Sequence, residues 1–210
     1  MKVKWWGHSS FLIEHNGIKI ITDPYDDSLP YQKITDKADY VTVSHGHFDH
    51  NAVERLDGDF KVIDSSKGFK NNEIEIEAIK SYHDSHQGED RGENLIYLIQ
   101  LEDKKICHLG DLGHDLDNKS INKLKNIDLL LIPVGGNYTI DAEMAYKLAE
   151  KINAKLTIPM HFKTDILDFP ITGVNKFTDK YDKNEVEFAN KSEINTEKIK
   201  NKKVIVLDYN

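Results

Sequence analysis

Cysteine is almost missing from the chain. A single thiol, Cys107, stands among 210 residues, which excludes an intrachain disulfide and any metal site built on a cysteine pair. Long apolar runs are missing too: no stretch approaches the ~18 residues that a membrane-spanning helix needs. The opening MKVKWWGHSS lacks the apolar core of a secretory signal, so a soluble, cytoplasmic protein is expected. Basic charge is in deficit. Lys and Arg number 28 against 36 Asp and Glu, for a net charge of −8, whereas affinity for a nucleic-acid backbone comes from Lys and Arg. Neither nucleic acid nor a membrane is an expected partner. A small anionic substrate stays open, because only local charge matters to it. No repeat, low-complexity tract or linker interrupts the chain, so residues 1–210 are expected to form a single domain. Nothing in the composition speaks to oligomeric state. What remains is ordinary for a globular protein, with 39% hydrophobic and 30% charged residues, enough to bury a core.

The first half reads as strands. VKWW and SFLIE flank Gly7-His8, and Asn16-Gly17 marks a hairpin turn into IKIITD. A proline-containing loop, DPYDDSLPY, precedes the β-branched run DYVTVS. FKVID, EIEIEAIK, NLIYLIQLE and KKICHLGD follow as further strands, and the alternation in EIEIEAIK leaves one of its faces wet. The second half mixes elements. A short helix is expected around 119–125, then the strand DLLLIP. Residues 141–152 have helical spacing, with Ala142, Ala145, Leu148, Ala149 and Ile152 on one face. LTIPMHF and KKVIVLD read as strands, and the polar segment 179–203 as a solvated helix or loop. This order suggests two sheets covered by helices.

Residues 44–50 read SHGHFDH, with three histidines and an aspartate inside six positions. Imidazole and carboxylate are common ligands of Zn²⁺ and its neighbours. In a bulged loop His45 and His47 can point one way while Asp49 and His50 point another, which suits two adjacent ions better than one. The alternative is a solvated polar turn after a strand. Three further candidates, His83, Asp111 and His161, also stand at strand ends, where α/β folds place ligand sites.

The H-x-H-x-D-H motif, here HGHFDH, followed by His83, Asp111 and His161, resembles the signature of the metallo-β-lactamase superfamily. GHSSFLIE, TDP, HLGD, PVGGNYTIDA and IPMH resemble the branch of ascorbate-6-phosphate lactonase and related metal-dependent hydrolases. Position 47 is His, unlike the Glu of flavodiiron relatives, and Asp111 stands where some lactamases carry a zinc-bound Cys. The resemblance implies an α/β fold, a four-layer αββα sandwich. It implies two divalent metal ions, zinc first, with manganese or iron compatible. His45, His47 and His83 would hold one ion and Asp49, His50 and His161 the other, with Asp111 bridging. The implied activity is hydrolysis of a small ester, lactone or phosphate-bearing metabolite by a hydroxide shared between the ions, with Asp49 and Asp111 as the catalytic carboxylates. A non-catalytic metal-binding or ligand-sensing protein on the same fold is the alternative.

Several other residues have defined expectations. His8, Asp23 and His108 are placed beside the ligands as orienting groups, against structural readings as a hairpin, turn or core residue. Gly136, Asn137 and Tyr138, ahead of the helix at 141, could hold an anionic group on backbone N–H groups. Asp141 or Thr139 capping that helix is the simpler reading. Lys163 and Arg91 could pair with a phosphate or carboxylate. His86 and His114 are expected to be solvated, His15 exposed beside a turn, and Cys107 a buried apolar side chain.

Overall fold

A computed structural model describes residues 1–209 of the chain. Strands β1 (Lys2–Gly7), β2 (Ser10–His15) and β3 (Ile18–Thr22) form an antiparallel meander. Asn16 and Gly17 join β2 to β3 with φ of 48° and 87°, the left-handed pair that a two-residue hairpin requires. Strands β4 (Tyr40–Thr42) and β5 (Lys61–Ile63) add to β3 in parallel. The second sheet contains β6 (Phe69–Lys70), β7 (Ile74–Tyr82), β8 (Glu93–Leu101), β9 (Lys104–His108), β10 (Leu129–Pro133) and β11 (Leu156–Met160). Two late strands, β12 (Val186–Phe188) and β14 (Val204–Val206), complete it, while β13 (Glu193–Asn195) pairs with β1 in the first sheet. The sheet orders are β13-β1-β2-β3-β4-β5 and β12-β14-β11-β10-β9-β8-β7-β6.

The two sheets pack face to face over Trp5, Phe11, Ile13, Ile96, Tyr97 and their neighbours. Burial of this apolar surface is the main stabilising term. At one end the sheets are pinned together. The Leu95 N–H donates to the Ser44 carbonyl at 2.9 Å, and the buried Tyr97 hydroxyl lies 2.8 Å from the carbonyl oxygens of both Val43 and Ile63.

Helices cover the eight-stranded sheet. Helix α1 (Asn118–Lys123) is capped by Asp117, and α2 (Ala142–Ile152) by Asp141, whose carboxylate accepts the Glu143 and Met144 N–H groups. The apolar face of α2 is the expected one. A single turn, α3 (Asn175–Thr178), packs beside α2. The six-stranded sheet is covered differently. Tyr25, Leu29, Tyr31 and Ile34 from the loop after β3 pack on Trp6, Leu12, Ile21 and Val41, and the only helical turn there among the described residues is the 3₁₀ turn Val53–Arg55. Pro24 and Pro30 bound this loop and oppose helix. The segment 179–203 differs from expectation: it holds β12, β13 and a 3₁₀ turn at Thr196–Lys198. Both strands are sheet edges three residues long, paired on one side only, so neither shows a hydrophobic pattern. Among the described residues no helix is long and apolar enough to cross a membrane.

Candidate metal centre

Strand direction gathers the polar residues. β3 and β4 run in parallel, as do β9, β10 and β11, and β7 runs with β9 through the antiparallel β8. Their carboxyl ends therefore share one edge of the sandwich, carrying Asp23, His45, His83, Asp111, Tyr138 and His161. Backbone strain concentrates there: His8, Asp23 and His161 have φ of 50°, 39° and 50°, a region costly for residues other than Gly and Asn. Glycine permits two close approaches in HLGDLG. Gly110 has φ 55°, and a Cβ on Gly113 would lie 2.3 Å from the His83 backbone carbon.

The loop after β4 closes when the His50 N–H donates to the His47 carbonyl at 3.0 Å. The His45 ring centroid lies 4.6 Å from His47, 4.2 Å from His50 and 4.8 Å from His83. Asp111 Oδ2 is at the centre of the cluster, 3.3 Å from His50 Nε2, 3.2 Å from His83 Nε2 and 3.1 Å from His161 Nε2. Two donor groups are formed. One contains His45, His47 and His83; the other Asp49, His50 and His161 together with His8; and His45, His50 and Asp111 join them.

A second layer fixes which nitrogen each ring presents. Asp23 Oδ2 accepts from His50 Nδ1–H at 2.8 Å and from the Ser44 hydroxyl at 2.6 Å. The Ser44 hydrogen is committed to Asp23, so Ser44 Oγ accepts from His45 Nδ1–H at 2.9 Å. His83 Nδ1–H donates to the Tyr138 carbonyl at 2.9 Å. In all three rings Nδ1 is committed and Nε2 is the nitrogen turned toward the cluster, so its lone pair is the one each ring offers when neutral. Asn94 fixes the backbone at Asp111: its Oδ1 accepts the Asp111 N–H at 2.9 Å and its Nδ2 donates to Ser81 Oγ and the Leu109 carbonyl.

Electrostatics separates the rings. Burial, reinforced by His50, lowers His45 to about 3, and burial with His161 lowers His8 to about 4. Burial works against charge on His50 as well, yet Asp111, Asp23 and Asp49 prevail and hold it well above the ordinary imidazole value. Burial likewise opposes ionisation of Asp111, but His161 and His50 keep it well below the usual carboxylate range. Asp49 is also lowered, its burial outweighed by the bond to His8. The enclosed field thus favours positive charge among His50, Asp49 and Asp111. Buried His45 Nε2, His50 Nε2 and Asp111 Oδ1 have no hydrogen-bond partner. Unpaired polar atoms of this kind cost about 1–3 kcal/mol each, and nitrogen and carboxylate donors suit Zn²⁺, Mn²⁺ or Fe²⁺. The donor set fits a metal centre.

Other expected residues fall in different places. His8 Nε2–H donates to Asp49 Oδ2 at 3.1 Å, and its ring lies tilted against His161 with centroids 4.1 Å apart. His108 is tied at both nitrogens: Nε2–H donates to the Ser9 carbonyl at 2.9 Å and Nδ1 accepts the Gly110 N–H at 3.2 Å. It shapes the turn before Asp111 and offers no donor. Cys107 is fully buried. His86 is exposed and bonded to Asp90 at 2.6 Å. His114 is half-buried, not solvated, because its Nε2 accepts the Tyr82 N–H at 3.2 Å and its Nδ1–H donates to the Asp115 carbonyl. His15 is also buried, 9% exposed, with Nε2 3.3 Å from Asp103. Lys163 does not face the cluster: its ammonium donates to the Phe169 carbonyl at 3.2 Å and reaches Asp168. Gly136 and Asn137 line a separate depression beside α2, whose N-terminus is already occupied by the Asp141 carboxylate.

A cavity of 380 Å³ opens over the donors, walled by Phe48, Tyr138, Phe169 and Arg91. A larger depression of 650 Å³ at Lys104, Asp128 and Lys155 has none of these ligands. Ser44, Asn94, Phe48 and Phe169 are additions that the motifs did not single out. Ser44 and Phe48 were within reach, because they stand inside SHGHFDH. Asn94 and Phe169 carry no local signal.

A beta-lactamase superfamily domain model matches residues 2–161. The chain is 30% identical to a UPF0173 metal-dependent hydrolase of Carboxydothermus hydrogenoformans, over 86% of this chain and 92% of that one. It is 28% identical to a UPF0173 metal-dependent hydrolase of Archaeoglobus fulgidus, over 78% and 84%. Among solved structures it is similar to a Thermotoga maritima protein of the metallo-beta-lactamase superfamily, proposed to be a Zn-dependent hydrolase, with a TM-score of 0.82 and 37% identity over 100% and 99% of the two chains. Human tRNase Z, short form, shares the fold at a TM-score of 0.59 and 12% identity, over 78% and 93%.

Proposed function

The chain belongs to the metallo-β-lactamase superfamily, and on that premise we infer that it is a metal-dependent hydrolase using two divalent ions. His45, His47 and His83 would hold one ion, Asp49, His50 and His161 the other, and Asp111 would serve both. Zinc is the first choice for this donor set, with manganese and iron compatible. The observation that carries the reading is the convergence of three buried, unpartnered donor atoms, His45 Nε2, His50 Nε2 and Asp111 Oδ1.

When bound, such ions supply Lewis acidity and make a water nucleophilic near neutral pH. The chain's own residues prepare the site for that chemistry. Asp23, through His50 and Ser44, orients two imidazoles at once. The Tyr138 carbonyl orients a third. Asp49 and Asp111 both stay ionised, so they act as anchors and hydrogen-bond acceptors and not as acids. His8 is neutral near pH 7 and donates to Asp49 Oδ2, which steers that carboxylate toward the donors. The cavity above the donors is large enough to admit a small molecule. A small ester, lactone or phosphate-bearing metabolite is the proposed substrate, with the lactonase-like motifs GHSSFLIE and IPMH as further support.

The test is elemental analysis of protein purified without added metal, followed by a panel of esters, lactones and phosphoesters. Two ions per chain and metal-dependent turnover on one of these classes are expected. A full complement of one ion would remove the dinuclear assignment, and a metal-loaded protein inert across the panel would remove the hydrolytic one.

A further inference from the structure

The walls of the cavity are unlike its floor. The chain has two arginines. Arg55 pairs with Asp27; Arg91 lines the cavity, and among the described residues no carboxylate pairs with it. Its guanidinium stands 5.5 Å from the Tyr138 ring centroid. Stacking on an aromatic face steadies an arginine without using its N–H donors, so this cation is held in place with its hydrogen-bonding capacity unspent.

The mount is rigid. Asp84 follows His83 directly, and its carboxylate accepts the backbone N–H groups of His86, Gly88, Asp90 and Arg91 at 2.8–3.1 Å. One buried carboxylate therefore ties Arg91 to the strand end that presents His83. The aromatic walls are fixed too. Tyr138 is anchored through its carbonyl to His83, and Phe169 through its carbonyl to the Lys163 ammonium, with the two rings 6.0 Å apart edge to face. Phe48 lines the same cavity and is 53% exposed, which leaves apolar ring surface for a ligand to cover. The volume, 380 Å³, lies at the small end of ligand cavities, which run from roughly 300 to 1,000 Å³.

We propose that the cavity selects substrates joining one flat apolar ring to one anionic group, the ring lodged among Phe48, Tyr138 and Phe169 and the anion paired with Arg91. The proposal rests on the hydrolase reading for what happens to the substrate, but not for its recognition. A neutral ligand would desolvate the guanidinium without pairing it. A ringless anion would leave the aromatic walls uncovered. Lys163 adds no second cation, being committed to Phe169 and Asp168.

The experiment measures binding by calorimetry on the metal-loaded protein, with para-acetamidobenzoate, its neutral primary amide para-acetamidobenzamide, and ringless N-acetyl-β-alanine. The amide bond keeps the readout independent of ester cleavage. Para-acetamidobenzoate is expected to bind roughly tenfold to a hundredfold more tightly than its primary amide, the range for a charge-assisted hydrogen bond. Arg91→Gln should erase that preference while metal content stays at the wild-type level, and Arg91→Lys should restore part of it. Phe48→Ala should weaken the ring-bearing acid and leave N-acetyl-β-alanine unchanged. Equal binding of acid and primary amide, no binding of either, or a preference that survives Arg91→Gln would overturn the proposal. Cleavage of para-acetoxybenzoate is scored separately. Arg91-dependent binding without its hydrolysis leaves recognition standing and counts against the hydrolytic reading; hydrolysis that ignores both ring and charge does the reverse.

Discussion

Two strand ends of this molecule carry nearly the same residue types and use them in opposite ways. After β4 come His45, His47, Asp49 and His50; around the end of β9 come His108, Asp111 and His114. At the first, His45 and His50 each spend one nitrogen on a hydrogen bond and keep the other open. At the second, His108 and His114 spend both nitrogens, mostly on the backbone of neighbouring turns. Only Asp111 reaches the cluster. A histidine is a ligand or a structural prop according to what its second nitrogen touches, and that partner is usually distant in sequence.

The comparison breaks most decisively at Asp111. Asp111→Asn keeps the volume and removes the charge that three imidazoles share. Metal affinity is expected to fall by more than the ~10–100-fold typical of losing an orienting partner, and hydrolysis at neutral pH by several orders of magnitude. Equilibrium dialysis and circular dichroism should show lost metal in a folded chain. An Asn variant retaining its full metal complement and turnover would mean Asp111 is only a strand-end residue. Asp23→Asn sharpens the same point one layer out. It touches none of the free donor atoms, yet it orients His50 directly and His45 through Ser44. A loss of about 10–100-fold in metal affinity is expected, read by competition with a chelator, and no change would show that the rings are oriented by packing alone.

The contrasting region predicts the contrasting phenotype. His108→Ala strips a partner from both the Ser9 carbonyl and the Gly110 N–H and leaves a hole in the core. The expected cost is about 2–4 kcal/mol of stability, with metal stoichiometry unchanged wherever the variant is folded. Urea unfolding of the chelated protein, paired with elemental analysis of the loaded one, separates the two effects. Metal lost from a stable His108→Ala protein would move His108 into the ligand set.

Much of the candidate centre is legible in the sequence, and the reason is local. H-x-H-x-D-H compresses four donors into one loop, and His83, Asp111 and His161 each follow a readable apolar strand. Helix α2 was legible for the same reason, since Asp141 and its row of Ala, Leu and Ile lie within one segment. What stayed hidden depends on partners far along the chain. His15 is buried against Asp103, 88 residues away. Lys163 looked free to meet an anion until the chain folded it onto Phe169. The edge strands β12 and β13 owe their existence to β14 and β1 and hold no pattern of their own. The loop DPYDDSLPY was legible as a loop, but its packing over the six-stranded sheet was not: the Tyr25 hydroxyl bonds the Trp6 and Gln32 carbonyls, a tertiary solution that no periodicity announces.

The smallest expected effect concerns pH. Burial lowers the His108 pKa from its ordinary value, so the folded chain holds the ring neutral. In the unfolded chain the ring takes up a proton below about pH 6.5. Between those two values the unfolded state binds more protons, so the stability contributed by neutral His108 is complete above pH 6.5 and drains away as pH falls. His108→Ala has no such ring. The stability gap between wild type and His108→Ala, measured on chelated protein, should therefore be widest near pH 8 and narrow steadily below pH 6.5. Taking the difference between the two proteins cancels the titration of the other histidines, provided the variant does not disturb them. A gap that stays constant from pH 8 to pH 5 would show that His108 titrates alike in the folded and unfolded chains, and a gap that widens as pH falls would show that the folded chain holds the ring protonated, so that its Nδ1 could not be accepting the Gly110 N–H.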